Sequence, residues 1–293
     1  MIITNVYGGL GNQMFQYAIA RRIAYENNVE FKLDISKMKS YELRDFLLNS
    51  FNIKNDIATE NEIANYKKIK NKYFTKLEKI LHELGFPKFN KTYYEKQEFS
   101  FDQYITTLSD VYLEGYWQSP QYFDSIREII LNDFSLSIKL DKENQKILNQ
   151  IQNTNSISLH IRRGDYVNNP YTNKIHGTCS LSYYQKAIEQ INSKVSNPVY
   201  YIFSDDIDWV KANLKFDNVK IFVDINTGET CYFDMELMKN CKHNIIANST
   251  FSWWGAWLNE NENRLIIAPK KWINTHSFFD ELLPKEWIKL ENK

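Results

Sequence analysis

Four residues able to hold an anion arrive together near the middle of the chain. In Ser156-Ile-Ser-Leu-His-Ile-Arg-Arg-Gly-Asp165, His160, Arg162, Arg163 and Asp165 follow an alternation of Ile157, Leu159 and Ile161 with polar neighbours. The chain has seven arginines, and two are adjacent here, while most other basic charge is lysine. A planar guanidinium holds two oxygens of a phosphate or carboxylate in a fixed orientation, which a lysine does not. The stretch therefore reads as a diphosphate clamp at the end of a strand. The plainer reading is an ion pair within the domain, with Asp165 orienting an arginine. His160 is either a partner for a base or a buried imidazole.

Two further stretches have related chemistry. Ser249, Thr250 and Ser252 open an expected helix, where hydroxyls and free N–H groups can cradle phosphate or simply cap the helix. Ser204-Asp-Asp-Ile-Asp208 contains Asp206-x-Asp208, a spacing that can hold a divalent metal. The same acids could accept hydrogen bonds from ribose or a guanine edge. Because the arginines already neutralise a diphosphate, a metal-free site is expected. Near the N-terminus, Tyr7-Gly-Gly-Leu-Gly-Asn12 is a glycine-rich turn, with Asn12 and Gln13 as side-chain donors. Gly9-x-Gly11 is followed by Met14 where a dinucleotide fingerprint needs a third glycine, and no GK[ST] follows, so neither dinucleotide nor P-loop motif is complete.

The elements that must carry these residues are legible as periodicity. Ile2 to Val6 reads as a strand, Gln13 to Asn27 as a helix and Val29 to Leu33 as a second strand. Residues 61–84 suggest a polar-faced helix or helix pair, with Lys67, Lys68 and Lys70 on a solvated face. Val111 to Gln118 reads as a strand with polar and aromatic residues at its end, and Tyr122 to Phe134 as an amphipathic helix. The polar segment 135–155 is expected to hold the connection between domains 1–150 and 151–293. From Ser156 onward the strands 157–162, 199–203, 219–223, 244–247 and 265–268 alternate with helices, the pattern of a parallel sheet covered by helices. Arg162–Asp165, Ser204–Asp206 and Asn248–Ser252 all fall at carboxyl ends of these strands. Ligands bind at that edge in open α/β sheets. Trp253, Trp254 and Trp257 have helical spacing and read as core.

Formal net charge is zero, which argues against a nucleic-acid or general membrane-surface protein. The 15% aromatic content, with 19 tyrosines, fits either sugar-stacking surfaces or a tyrosine-rich core. Cys179, Cys231 and Cys241 form neither a metal-ligand spacing nor an even disulfide set. No signal peptide or membrane span is expected, so a cytoplasmic protein is the default.

Taken together, GGLGNQMFQYA (8–18), GYWQSPQYF (115–123), HIRRGDYV (160–167), HGTCSLSYY (176–184), FSDD (203–206) and NSTFSWWGAWL (248–258) resemble the bacterial α-1,2-fucosyltransferases of glycosyltransferase family 11. The resemblance covers most of the chain and is weakest over 35–100. It implies a GT-B-like α/β fold, with two Rossmann-like domains facing a central cleft. The N-terminal domain would serve the acceptor and the C-terminal domain would bind GDP-L-fucose. Arg162 and Arg163 would hold the diphosphate, and His160 the guanine end. Asp205 or Asp206 would hold guanine or ribose, and Asn248, Ser249, Thr250 and Phe251 would line the phosphate pocket. Gly9 and Gly11 would let the donor approach, and Asn12 would face the reacting fucose. Glu114, Tyr116, Trp117 and Gln118 would meet the acceptor. His176, Asp165 and Glu114 are the candidates for a catalytic base. The implied reaction is an inverting, metal-independent transfer to a galactose-type 2-hydroxyl of an O-antigen or capsule glycan. A lipid-linked acceptor would place the enzyme peripherally at the inner membrane face. A transferase for another nucleotide sugar, and a non-catalytic sugar-nucleotide or glycan binder, are the alternatives.

Overall fold

The computed structural model describes residues 1–39, 45–67, 91–275 and 279–292. Two compact units divide the chain between Ser135 and Leu136. The helix Lys142–Gln152, capped by the Asp141 side chain, lies within the segment expected to connect the domains and goes with the second unit. No helix among the described residues is long and apolar enough to cross a membrane.

The first unit holds four parallel strands in the order β2-β1-β4-β3. They are β1 (Ile2–Asn5), β2 (Phe31–Asp34), β3 (Thr92–Tyr94) and β4 (Val111–Glu114). Every residue of β1 is buried, as expected of a central parallel strand. The first helix spans Leu10–Glu26 and so begins before the expected Gln13. The glycine turn is therefore shorter than expected. Only Gly8 has the positive φ, +84°, that favours glycine, and Gly11 lies inside the helix. The expected helix over 122–134 is instead two 3₁₀ turns, Pro120–Tyr122 and Asp124–Ile126, followed by Arg127–Asp133. Phe123, at φ −149° and ψ 0°, interrupts the helical path. Its apolar face still forms, because Phe123, Ile126, Ile130 and Phe134 are all buried. Of the helix expected over 61–84, Glu60–Tyr66 is formed and carries a Thr59–Glu62 capping box, while Lys68 and Lys70 lie outside the described residues.

The second unit is a six-stranded parallel sheet in the order β10-β9-β8-β5-β6-β7. Its strands are β5 (Asn155–Ile161), β6 (Pro198–Ser204), β7 (Val219–Val223), β8 (His243–Ile245), β9 (Ile266–Pro269) and β10 (Ile288–Leu290). Counted along the unit, that is the 3-2-1-4-5-6 order of the doubly wound fold, with its switch point between β5 and β8. Alternation divides the core between two faces. Ile157, Leu159, Tyr200 and Ile202 pack with Tyr183, Tyr184 and Ile188. Tyr201 and Phe203 pack with Leu237, Met238 and Cys241. The strand β10 was not anticipated; its three residues are only half-buried and show no pattern. Trp253, Trp254 and Trp257 are core, and the Trp253 indole donates to the Leu282 carbonyl at 2.9 Å.

Candidate active site

At the carboxyl end of β5 the chain leaves the sheet at Ile161, and two short helices, Gly164–Asn168 and Pro170–His176, follow. Asn169 caps the second by accepting from the N–H groups of Tyr171 and Thr172, with Pro170 in its first turn. The two arginines diverge from this point. Arg162 lies between two acids, its terminal nitrogens 2.5 Å from Asp165 Oδ1 and 2.9 Å from Asp205 Oδ2. Its guanidinium carbon is 5.3 Å from the centre of the Tyr166 ring. Burial opposes the Arg162 charge, but Asp205 and Asp165 outweigh it, and the pKa is raised above its ordinary value. Arg163 turns toward the helix after β6, where it lies 3.5 Å from the centre of the Trp209 ring and donates through Nε to Asp206 Oδ2.

Asp205 and Asp206 follow β6. Asp205 also accepts from the Arg163 backbone N–H at 2.8 Å. Asp206 accepts from the Trp209 N–H and so starts the helix Ile207–Asn213. Both acids thus hold the arginines in place, the ion pairing that was the plainer reading of the sequence. Arginine has five N–H donors. Arg162 places one N–H on each acid, which leaves donors for an anion.

Tyr166 joins β5 to β8. Its hydroxyl donates to the Asn248 carbonyl at 3.3 Å, and its ring stacks on His176 at 4.7 Å. Burial lowers the His176 pKa, with Asp165 opposing the shift and the Arg162 charge adding to it. Asn248 is 2% exposed, and its amide donates to the carbonyls of His176, Gly177 and Trp272. Asn248 thus fastens the His176–Gly177 and Trp272 segments to the chain after β8. Asn248→Ala should lower stability by about 1–3 kcal/mol, the contribution of two N–H donors shared among three carbonyls; urea denaturation checks this. Ser249 precedes the helix Thr250–Trp257, and its hydroxyl does not cap the helix.

His160 is 5% exposed, and its Nδ1 has no hydrogen-bond partner among the described residues. Burial, reinforced by the Arg162 charge, pushes its pKa down to about 3, so the ring is neutral. It faces Phe251 at 5.6 Å. Phe251, and Ile225 after β7, both pack against the cluster that includes Phe203, Leu237 and Met238. The next residue, Asn226, donates to Asp234 Oδ1 at 2.6 Å. Burial pushes the Asp234 carboxyl up to about 7. Asp234 was missed because it lies inside an apolar helix, Cys231–Asn240, with no motif around it.

The residues read at the N-terminal end occupy the carboxyl edge of the first unit's sheet. Asn12 Oδ1 accepts from Gln118 Nε2 at 3.1 Å, and Asn5 Nδ2 donates to Glu114 Oε1 at 2.8 Å. Gly9 accepts the N–H groups of Asn12 and Gln13 at the helix start, while Gly11 is buried. Two corrections arise. Gln13 is wholly buried and bonded to Gly8, Asp45 and Leu47, so it organises the loop and is no ligand donor. Trp117 is 0% exposed and packs on Tyr122, so it is core and cannot meet an acceptor in this arrangement.

The second unit is thus a doubly wound parallel α/β sheet with guanidinium and carboxylate groups at the carboxyl ends of β5 and β6. The chain belongs to glycosyl transferase family 11, whose model matches residues 1–291, and it is a glycosyltransferase. It is 36% identical over 306 aligned positions to the alpha-1,2-colitosyltransferase of Escherichia coli, covering 99% of each chain. It is also 36% identical over 303 positions to the O-antigen biosynthesis glycosyltransferase WbnK of Escherichia coli, covering 97% of this chain and 98% of the other. Among solved structures it is similar to a mutant Arabidopsis thaliana FUT1 in complex with GDP, with a TM-score of 0.49, 10% identity, and coverage of 91% of this chain and 70% of the other.

Proposed function

We propose that this chain is an inverting α-1,2-fucosyltransferase that moves L-fucose from GDP-L-fucose to the 2-hydroxyl of a galactose-type acceptor in surface-glycan synthesis. The observation that carries the reading is Arg162, held between Asp165 and Asp205 beside the β5–β8 switch point. There it meets the diphosphate, and Arg163, stacked on Trp209 and tied to Asp206, braces the loop. Breaking the bond from fucose to the β-phosphate leaves negative charge on GDP. A guanidinium already oriented toward that charge stabilises it without reorganisation. The nucleobase lies toward His160, Phe251 and Asp234. The His160 Nδ1 without a partner and the Asp234 carboxyl provide an acceptor and a potential anion for a purine edge.

Transfer proceeds without a divalent metal. Asp206 is engaged by Arg163 and by its helix N-terminus, which supports this reading over an Asp-x-Asp metal site. The acceptor's lipid carrier brings the protein to the inner face of the membrane as a peripheral visitor. The 36% identity to a colitosyltransferase supports a second donor, GDP-colitose. Colitose is fucose without the 3-hydroxyl, so no diphosphate contact distinguishes the two. Incubation with GDP-fucose, GDP-colitose and UDP-galactose, each with a galactoside and with or without EDTA, tests the reading. Fucosyl product that is insensitive to EDTA is expected. Product only from GDP-colitose would change the donor, and loss restored by Mn²⁺ would return the metal to Asp206 and Asp208.

A further inference from the structure

Four side chains from three segments of the second unit form one run of hydrogen bonds that ends on Asp234. The run begins at Asp141, which caps the helix Lys142–Gln152 by accepting the Asn144 N–H at 2.8 Å. The other Asp141 oxygen accepts from Asn144 Nδ2 at 3.1 Å. Asn144 is 1% exposed, although asparagines are mostly surface residues. Its amide meets that of Asn226, in the loop after β7, in a reciprocal pair, each Nδ2 donating to the other's Oδ1 at 2.9 Å. The second N–H of Asn226 Nδ2 donates to Asp234 Oδ1 at 2.6 Å. The helices at the two ends of the run are packed together, Ile151 of one sharing an apolar cluster with Leu237 and Met238 of the other.

The run has a direction. The Asn144 N–H groups hold the Asp141 carboxyl below its ordinary range, and a carboxylate only accepts. Asn144 must therefore turn Nδ2 toward Asp141. In the reciprocal pair, a flipped amide would set donor against donor and acceptor against acceptor. Asn226 is thus fixed with Nδ2 toward both Asn144 and Asp234. Its N–H opposes the rise that burial imposes on the Asp234 carboxyl. Asp234 is half-buried and, among the described residues, has no ion pair and no other hydrogen bond. Holding such a carboxylate without a counter-charge is costly unless a ligand completes it. Oδ2 and the second lone pair of Oδ1 are left for one.

Guanine carries N1–H and its 2-amino group side by side, two parallel donors that match a carboxylate. Adenine has an acceptor at N1, and uracil flanks its one N–H with carbonyl oxygens. We infer that Asn226, oriented by Asn144, is a positioning residue that fixes Asp234 for the donor edge of guanine and so sets the preference for a guanosine nucleotide, an inference that rests on the nucleobase placement proposed above.

IDP differs from GDP only in lacking the 2-amino group. In calorimetric titrations of the full chain, wild type should bind GDP about tenfold or more tightly than IDP, the effect of one hydrogen bond to a charged group, and ADP more weakly still. Asn226→Ala should bring GDP and IDP within about threefold of each other, and Asn144→Ala should fall between this variant and wild type. Asp234→Asn should remove the preference, and adding Asn226→Ala to Asp234→Asn should cost GDP binding almost nothing more. Equal losses for GDP and IDP in Asn226→Ala would overturn the inference and leave the amides as a brace between the two helices. Additive losses of GDP affinity from Asp234→Asn and Asn226→Ala would overturn it as well, because the two residues would then act separately. If Asn226→Ala does not fold, Asn144→Ala gives the same readout, and an unchanged preference for GDP in it would overturn the inference. A wild type that binds GDP, IDP and ADP equally would overturn the nucleobase placement itself, whereas a wild type that prefers GDP, with variants that keep the preference, would overturn this inference alone.

Discussion

Arg162→Ala should lower turnover by about 10²–10³-fold, the usual effect of removing one well-placed donor to a developing anion. Folding should barely change. Asp165 and Asp205 remain partly exposed once Arg162 is gone, with side chains 43% and 27% accessible. Ion pairs at such exposure contribute roughly 0–1 kcal/mol. Arg162→Lys should recover only part of the loss, because an ammonium cannot span Asp165, Asp205 and a phosphate oxygen in one plane. Arg163→Ala should act differently. Its guanidinium is stacked on Trp209 and bonded to Asp206, so its loss loosens the loop and lowers stability more than the Arg162 variant does. Single-turnover kinetics alongside thermal melting separate the two. Equal kinetic losses in both variants, with equal melting shifts, would mean that the arginines act as one structural unit.

Gly164→Ala should reduce turnover by about 10²-fold, comparable to the effect of a 1 Å misplacement at a reacting centre. A β-carbon at Gly164 would collide with Asp205 Oδ2. Asp205 must then swing aside, and both Arg162 and the Arg163 backbone N–H lose an acceptor. Gly164 begins the short helix Gly164–Asn168, where alanine is the better helix former. Stability should therefore hold or rise while activity falls. An alanine variant with full activity would show that Asp205 does not position Arg162.

The charged end of β5 was legible because adjacent arginines are scarce in this chain and stand directly after an alternating strand. The three strand-end stretches were legible as a common edge for the same reason, since βα alternation fixes which end of each strand is which. The tertiary partners were not. Nothing local shows that Asp205 and Asp206 would cross from β6 to the two arginines, or that Asn248 would close three carbonyls. Gln13 looked like a ligand donor because it follows the glycines; the helix begins early enough to turn it inward. The resemblance implied that Trp117 meets the acceptor, but the side chain is buried in the core, at a positive φ that no local pattern announces. Tyr166 was quoted within a motif without a role, and its link between β5 and β8 depends on a contact 82 residues away.

Calorimetric titration of GDP and GMP into the wild-type protein and Arg162→Ala tests the central claim most directly. The two ligands differ only in the β-phosphate. Wild type should bind GDP more tightly than GMP, and Arg162→Ala should bring GDP close to the affinity of GMP while leaving GMP nearly unchanged. An unchanged preference for GDP in the variant would contradict the placement of the diphosphate on Arg162.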